Sequence, residues 1–292
     1  MKRAILLAIT LILSVHADQN LEKIFGEIPA LKSEDVTKIN DWLLQEKKLI
    51  TSLVMQDGAL IDYATLHEQN KALLSEKSIV NYGKTNYVFA CPVLPQYMIK
   101  ISGPLNRLVN MVAADNKSPQ SITDDEIKTL KRVVTYQTIS SLPTYYLYLR
   151  LTKTMPLKYV YIPQTYLLRL PGAVDVLADT NYIIVQERID LLEKTATEDL
   201  IKKLNDEQIK ELVAVIASCG LWDIKGKIQI AKNGRIVIVD LEQPNISSPL
   251  KGFNIQEKDR FYNNARCGID ALIDMFEKKA DLINKMRDTL LD

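Results

Sequence analysis

The sequence predicts an α+β fold on three observations: two β-rich hairpins, amphipathic helices around them, and no βαβ alternation. Taken in chain order, residues 18–81 read as helical. Ser33-Glu34-Asp35 opens a helix with acidic residues in its first turn, and Val36, Ile39, Trp42 and Leu43 line one apolar face. Asp57-Gly58 ends that run or a successor, and a second helix follows from Tyr63 to Leu74. The texture changes at Tyr82-Gly83. Asn86 to Ala90 and Tyr97 to Ile101 are β-rich, with a turn at Pro92 to Pro95 and Gly103-Pro104 closing the second strand. Thr123-Asp124-Asp125-Glu126 is a capping box that opens a helix to about Ser140. Tyr145 to Leu170 reads as core and its margin, and Tyr182 to Val185 as a short strand. Leu200 to Ser218 forms one amphipathic helix. Ile228 to Ile230 and Arg235 to Val239 are strands joined by Lys232-Asn233-Gly234, where Asn and Gly both accept positive φ. A last amphipathic helix runs from Ala265 to Leu290.

Composition excludes several classes of function. The chain carries 37 Lys and Arg against 36 Asp and Glu, so there is no electrostatic case for nucleic acid or an anionic membrane surface. Cys91, Cys219 and Cys267 lack any close pairing; they form no disulfide framework, although one bridge is open to them in an oxidising compartment. With His16 and His67 the only histidines, zinc sites and Cys-His catalysis are poor candidates. His67 lies in a polar helical stretch and reads as a solvated surface residue.

The chemistry concentrates between Gly220 and Glu242. Asp223 and Lys225 precede the second hairpin, and Asp240 and Glu242 follow it. A carboxylate leaving a rigid strand can hold a cation at fixed geometry. Two carboxylates and a lysine at one hairpin end suit phosphoryl transfer, which needs positioning and charge neutralisation more than covalent chemistry. The plainer alternatives are a turn cap for Asp223, surface charge for Glu242 and a snorkelling edge lysine for Lys100.

This order resembles the catalytic half of the protein-kinase-like superfamily. Asp223-Ile224-Lys225 is similar to the D-L-K of its catalytic loop, and Asp240-Leu241-Glu242 to its metal-binding D-F-G. Met98-Ile99-Lys100 resembles the strand that carries the phosphate-binding lysine, and Ile183 to Arg188 resembles the hinge strand whose backbone meets adenine. The resemblance covers roughly Tyr82 to Asp274. It implies a two-lobed protein-kinase-like fold with a helical N-terminal extension: residues 18–81 helical, 82–185 a small lobe-like region, and 186–292 a mainly helical second lobe. It also implies ATP and Mg²⁺ as ligands, with Asp223 and Lys225 catalytic, Lys100, Gln186 and Glu187 on the nucleotide, and Asp240 and Glu242 on the metal. The chain departs from the family at several points. Leu221 stands where the catalytic-loop histidine belongs, and Ile228 stands where asparagine belongs, with Lys227 taking that place if one residue is deleted. Gly83 is the lone glycine before Lys100 in place of a glycine-rich loop.

Three functions follow. The first is a degenerate kinase-like protein with weak or absent phosphotransfer, kept as a binding surface for a protein or small molecule. The second is an active Mg-ATP-dependent kinase or small-molecule phosphotransferase. The third is an unrelated helical binding protein.

The N-terminus reads as a secretory signal peptide over residues 1–17. Lys2 and Arg3 supply positive charge, Ala4 to Val15 is an uncharged, mostly apolar run, and Val15-His16-Ala17 places small residues before a cut. The expected destination is a periplasm, the extracellular space or a host cell. Nucleotide triphosphate is scarce outside the cytoplasm, and this argues against a metabolic kinase unless the protein is delivered into another cell. No later run reaches the roughly 18 apolar residues of a membrane span. Mass spectrometry of the exported protein is expected to find Asp18 as its first residue, and an intact Met1 on that form would contradict the reading.

Overall fold

A computed structural model describes residues 28–45, 79–82, 86–102, 141–169, 182–241 and 257–291. The architecture is α+β, with two small sheets and six α-helices among these residues. The expected helices at Tyr63–Leu74 and after Thr123 lie outside them. No described helix is long and apolar enough to cross a membrane.

The first sheet is antiparallel and five-stranded, in the order β1–β2–β3–β6–β5. Its strands are β1 (Ile79–Tyr82), β2 (Asn86–Ala90), β3 (Tyr97–Ser102), β5 (Thr165–Arg169) and β6 (Tyr182–Glu187). Helix α1 (Ser33–Gln45) buries Ile39, Trp42 and Leu43, the predicted apolar face. These side chains pack with Ile99, Tyr166, Leu168, Ile183 and Val185 of the sheet. The helix expected in an extension thus shares the sheet's core. In register, Ile99 stands opposite Val185, which in turn stands opposite Tyr166, whereas Lys100 stands opposite Ile184. Successive side chains alternate across a sheet, so Lys100 takes the face away from α1.

The segment 141–169 belongs to both sheets in turn. Helix α2 (Ser141–Thr154) leads to β4 (Val160–Tyr161), which pairs parallel with β8 in a three-stranded sheet of order β4–β8–β7; the chain then enters β5 of the first sheet. The β7 (Ile228–Ile230) and β8 (Ile236–Ile238) hairpin forms where predicted. Its loop differs in conformation. Only Gly234 takes positive φ (84°), its N–H donating to Ala231 O at 2.8 Å, while Asn233 accepts from Arg235 N through its side chain. A three-residue loop needs just one left-handed position, and glycine fills it.

Two predicted helices are each broken. The Leu200–Ser218 run divides into α3 (Lys194–Ile201) and α4 (Asp206–Cys219). Asn205 starts α4 with a capping box, its side chain accepting from Gln208 N and Gln208 reaching back to Asn205 N. The Ala265–Leu290 run divides into α5 (Glu257–Met275), a 3₁₀ turn (Glu277–Lys279) and α6 (Ala280–Leu291). Phe276 leaves helical dihedrals between them (φ −130°, ψ 54°) and buries its ring. The chain can then fold back so that Ile283 and Leu291 of α6 join the core built on α4. Cys91, Cys219 and Cys267 are all free, so the bridge open to them is not formed.

Gly268 of α5 lies against the C-terminal turn of α4. A Cβ there would stand 2.1 Å from the Leu221 carbonyl oxygen and 2.8 Å from Ile216 Cγ2. Helix propensity alone would have Gly268→Ala stabilise by about 1 kcal/mol. The backbone contact reverses that sign, and a net loss of about 1–3 kcal/mol is expected in denaturant unfolding. A stability equal to or above that of the parent would contradict this approach of α5 to α4.

Candidate functional site

The turn between α4 and β7 exposes its charges because its apolar residues are pinned. Gly220 ends α4 in the left-handed conformation (φ 63°, ψ 35°), and Leu221 N donates to Ile216 O at 3.1 Å. Leu221 and Ile224 are buried, which leaves Trp222 and Asp223 outside. A turn from Ile224 O to Lys227 N, with Gly226 at φ 79°, then feeds β7.

Asp240 is positioned from the other strand. Ile236, Val237 and Ile238 are all buried, and Val239 N donates to Lys227 O at 2.9 Å as the last bond of the hairpin. The next residue, Asp240, has φ 56°, the one non-glycine positive φ among the described residues. Aspartate tolerates this region better than most residues, yet such conformations persist mainly where the surroundings over-determine them, and they gather at functional sites. Leu241 then returns to the core.

Lys100 and Asp240 meet. Lys100 Nζ lies 3.5 Å from Asp240 Oδ1, joining the first sheet to the exit of β8. The lysine side chain is 13% exposed and the aspartate 51%. Asp223 has a lysine too: Lys227 Nζ is 3.5 Å from its Oδ2, with side-chain exposures of 18% and 46%. Lys225, which the resemblance makes catalytic, instead pairs with Asp274 of α5 at 2.9 Å. The turn through Gly226 brings Lys227, four residues after Asp223, back to the aspartate.

Gln186 and Glu187, expected on the nucleotide, are engaged within the fold. Gln186 is buried and its Nε2 donates to Thr165 Oγ1 at 3.1 Å. Glu187 accepts from the Tyr161 hydroxyl and from Gln164 N. Burial first, and then this acceptor, push the Tyr161 hydroxyl well above its usual pKa. The neighbouring backbone donors are taken as well, Glu187 N by Gln164 O and Arg188 N by Gln96 O, both at 2.8 Å. Glu242 lies outside the described residues.

The described residues hold no group of three or more His, Cys, Asp or Glu able to share a metal ion. Mg²⁺ in a phosphate site is commonly held by one or two carboxylates with water and phosphate oxygens, so half-exposed Asp240 fits as one ligand. A cavity of about 570 Å³ opens at the far end of the hairpin, lined by Gln96, Arg188, Asp190, Ala231, Lys232 and Asn233. It includes none of the predicted site residues.

Sequence reasoning missed Glu211. This carboxylate is 7% exposed and accepts from Lys158 N (2.9 Å), Tyr159 N (2.6 Å) and Val160 N (2.6 Å). It fastens α4 to the start of β4, the strand beside β8. Its one sequence signal is an acidic residue in the mostly apolar run Ile209 to Cys219. No family model matches the chain, and no curated protein matches it.

Glu211→Gln retains the side-chain shape but replaces one acceptor oxygen with an NH₂ that faces backbone donors. Chemical denaturation is expected to show a loss of about 2–4 kcal/mol, because hydrogen bonds to a buried charge are strong and orphaned donors are costly. A loss below about 1 kcal/mol would mean that the three donors are satisfied some other way.

Proposed function

We propose that this protein is an exported, kinase-like phosphate- or nucleotide-binding protein in which phosphotransfer is weak or absent. One observation carries the reading: a mostly buried lysine from the five-stranded sheet meets a left-handed aspartate at a hairpin exit. A lysine with little side-chain exposure beside an accessible carboxylate suits a phosphate whose oxygens take the ammonium and whose charge draws a cation to the carboxylate. When bound, Mg²⁺ would neutralise charge on the phosphate oxygens. Two of the replacements support weak or absent transfer. Leu221 and Ile228, at the positions of the family's histidine and asparagine, are both buried and have no polar side-chain atom to offer.

One observation favours the active alternative, namely that Asp223 is 46% exposed and accessible to an acceptor hydroxyl. Transfer of a labelled γ-phosphate that disappears in Asp223→Asn would move the protein to that class. The unrelated helical-binder reading gives no reason for Lys100 and Asp240 to meet.

The proposal expects ATP to raise the melting temperature, because a ligand that binds only the native state stabilises it. Mg²⁺ should add to the shift. Asp240→Asn should remove the Mg²⁺-dependent increment while keeping the left-handed backbone, which asparagine also tolerates. Asp223→Asn should leave that increment largely intact. If ATP produces no shift with or without Mg²⁺, the proposal fails; if the increment survives Asp240→Asn, the metal is not at this residue.

A further inference from the structure

We infer that Lys227 is a second phosphate-binding cation beside Lys100, so that the site holds a polyphosphate without a divalent metal. The inference rests on the phosphate-binding reading above and deepens it.

The other described lysine pairs all involve well-exposed side chains, whether they close to short distances, as in Lys225–Asp274 and Lys210–Glu207 (2.9 and 2.8 Å), or stay loose, as in Lys194–Glu198 and Lys202–Asp199 (4.0 and 3.9 Å). Lys100 and Lys227 are the least exposed lysines in any described ion pair, at 13% and 18%, and yet both stand 3.5 Å from their carboxylates. A good charge-assisted N–H···O bond is about 2.7–2.9 Å. Among the described residues neither ammonium has any other partner. Each ammonium carries three donors, and the carboxylate it meets at 3.5 Å leaves them room for closer acceptors. Their carboxylates are about half exposed, so the charge that balances each lysine sits on its solvent side.

The hairpin brings the two lysines to one end. Lys227 lies across the ladder from Val239, whose successor is Asp240, the partner of Lys100. Two lysines with little-exposed side chains that share one hairpin end and lack short acceptors suit an oxyanion with several oxygens, such as a di- or triphosphate chain. A fixed ammonium at Lys227 supplies charge that would otherwise come from a metal ion. Lys225 cannot take this part while it holds Asp274.

The test is isothermal titration of the full mature chain with ATP and with inorganic tripolyphosphate, first in EDTA and then with Mg²⁺. Both probes are expected to bind in EDTA. Lys227→Met should weaken that binding about tenfold or more, the scale of one lost charge-assisted contact. Lys227→Arg should bind like the parent, and so should Lys232→Met, an exposed lysine on the loop at the hairpin's other end. Unliganded melting midpoints check that each variant is folded, and Lys227→Arg tests the charge even if Lys227→Met is destabilised. Binding that appears only with Mg²⁺, or that is equal in Lys227→Met and the parent, overturns the inference and leaves the phosphate-binding reading in place. Absence of ATP binding in both conditions overturns both.

Discussion

Everything placed around the candidate site depends on one buried carboxylate. Glu211 projects from the middle of α4 into the protein, and each partner it has among the described residues is a backbone N–H. Three backbone donors satisfy the two carboxylate oxygens without needing a lysine or arginine in the core. They also fix the backbone of 158–160 just where it becomes β4. Because β4 pairs with β8, and β8 ends one residue before Val239, the position of Asp240 is inherited from that anchor. Glu187 repeats the device at the other sheet, accepting from Tyr161 of β4 and from Gln164 just before β5. The guanidinium of Arg235 covers the Tyr161 ring at 4.2 Å, which ties the β8 side of the hairpin to the same group.

The site itself is a set of alternating charges held at uneven depth. Lysines lie inside and aspartates outside, so the ion pairs are loose where an efficient structural pair would be short. That arrangement contributes little to stability, since a lysine gains little from a distant, half-solvated carboxylate. It is well suited to an incoming anion that can offer closer oxygens. The left-handed backbone at Asp240 belongs to the same pattern, a local conformational cost kept in place by buried neighbours on both sides, Ile238 and Leu241.

The parts legible in the sequence were those set by short-range chemistry. Both hairpins follow from β-branched runs and their turns, and α1 follows from its apolar face. Features decided by tertiary contact were not legible. Phe276 breaks a helix because its ring has a core to enter, and nothing in the local pattern says so. Asn205-Asp206-Glu207-Gln208 does carry a capping signal, but a continuous amphipathic pattern masked it. The crossing of 141–169 between two sheets, and the choice of Lys227 over Lys225 as partner of Asp223, depend on residues far apart in the chain or on the exact path of one turn. Gln186 and Glu187 look available in the sequence, and only the neighbouring strand reveals that their donors are used.

The central claim is that Lys100 and Asp240 are true partners, and a double-mutant cycle on folding stability tests it most directly. Lys100→Met, Asp240→Asn and the double variant would be compared by urea unfolding at low and high salt. The account predicts a coupling of about 0.5–1 kcal/mol at low salt, modest because half of the aspartate is solvated, and smaller at high salt. Single-variant effects that add to within about 0.3 kcal/mol at both salt concentrations would contradict it.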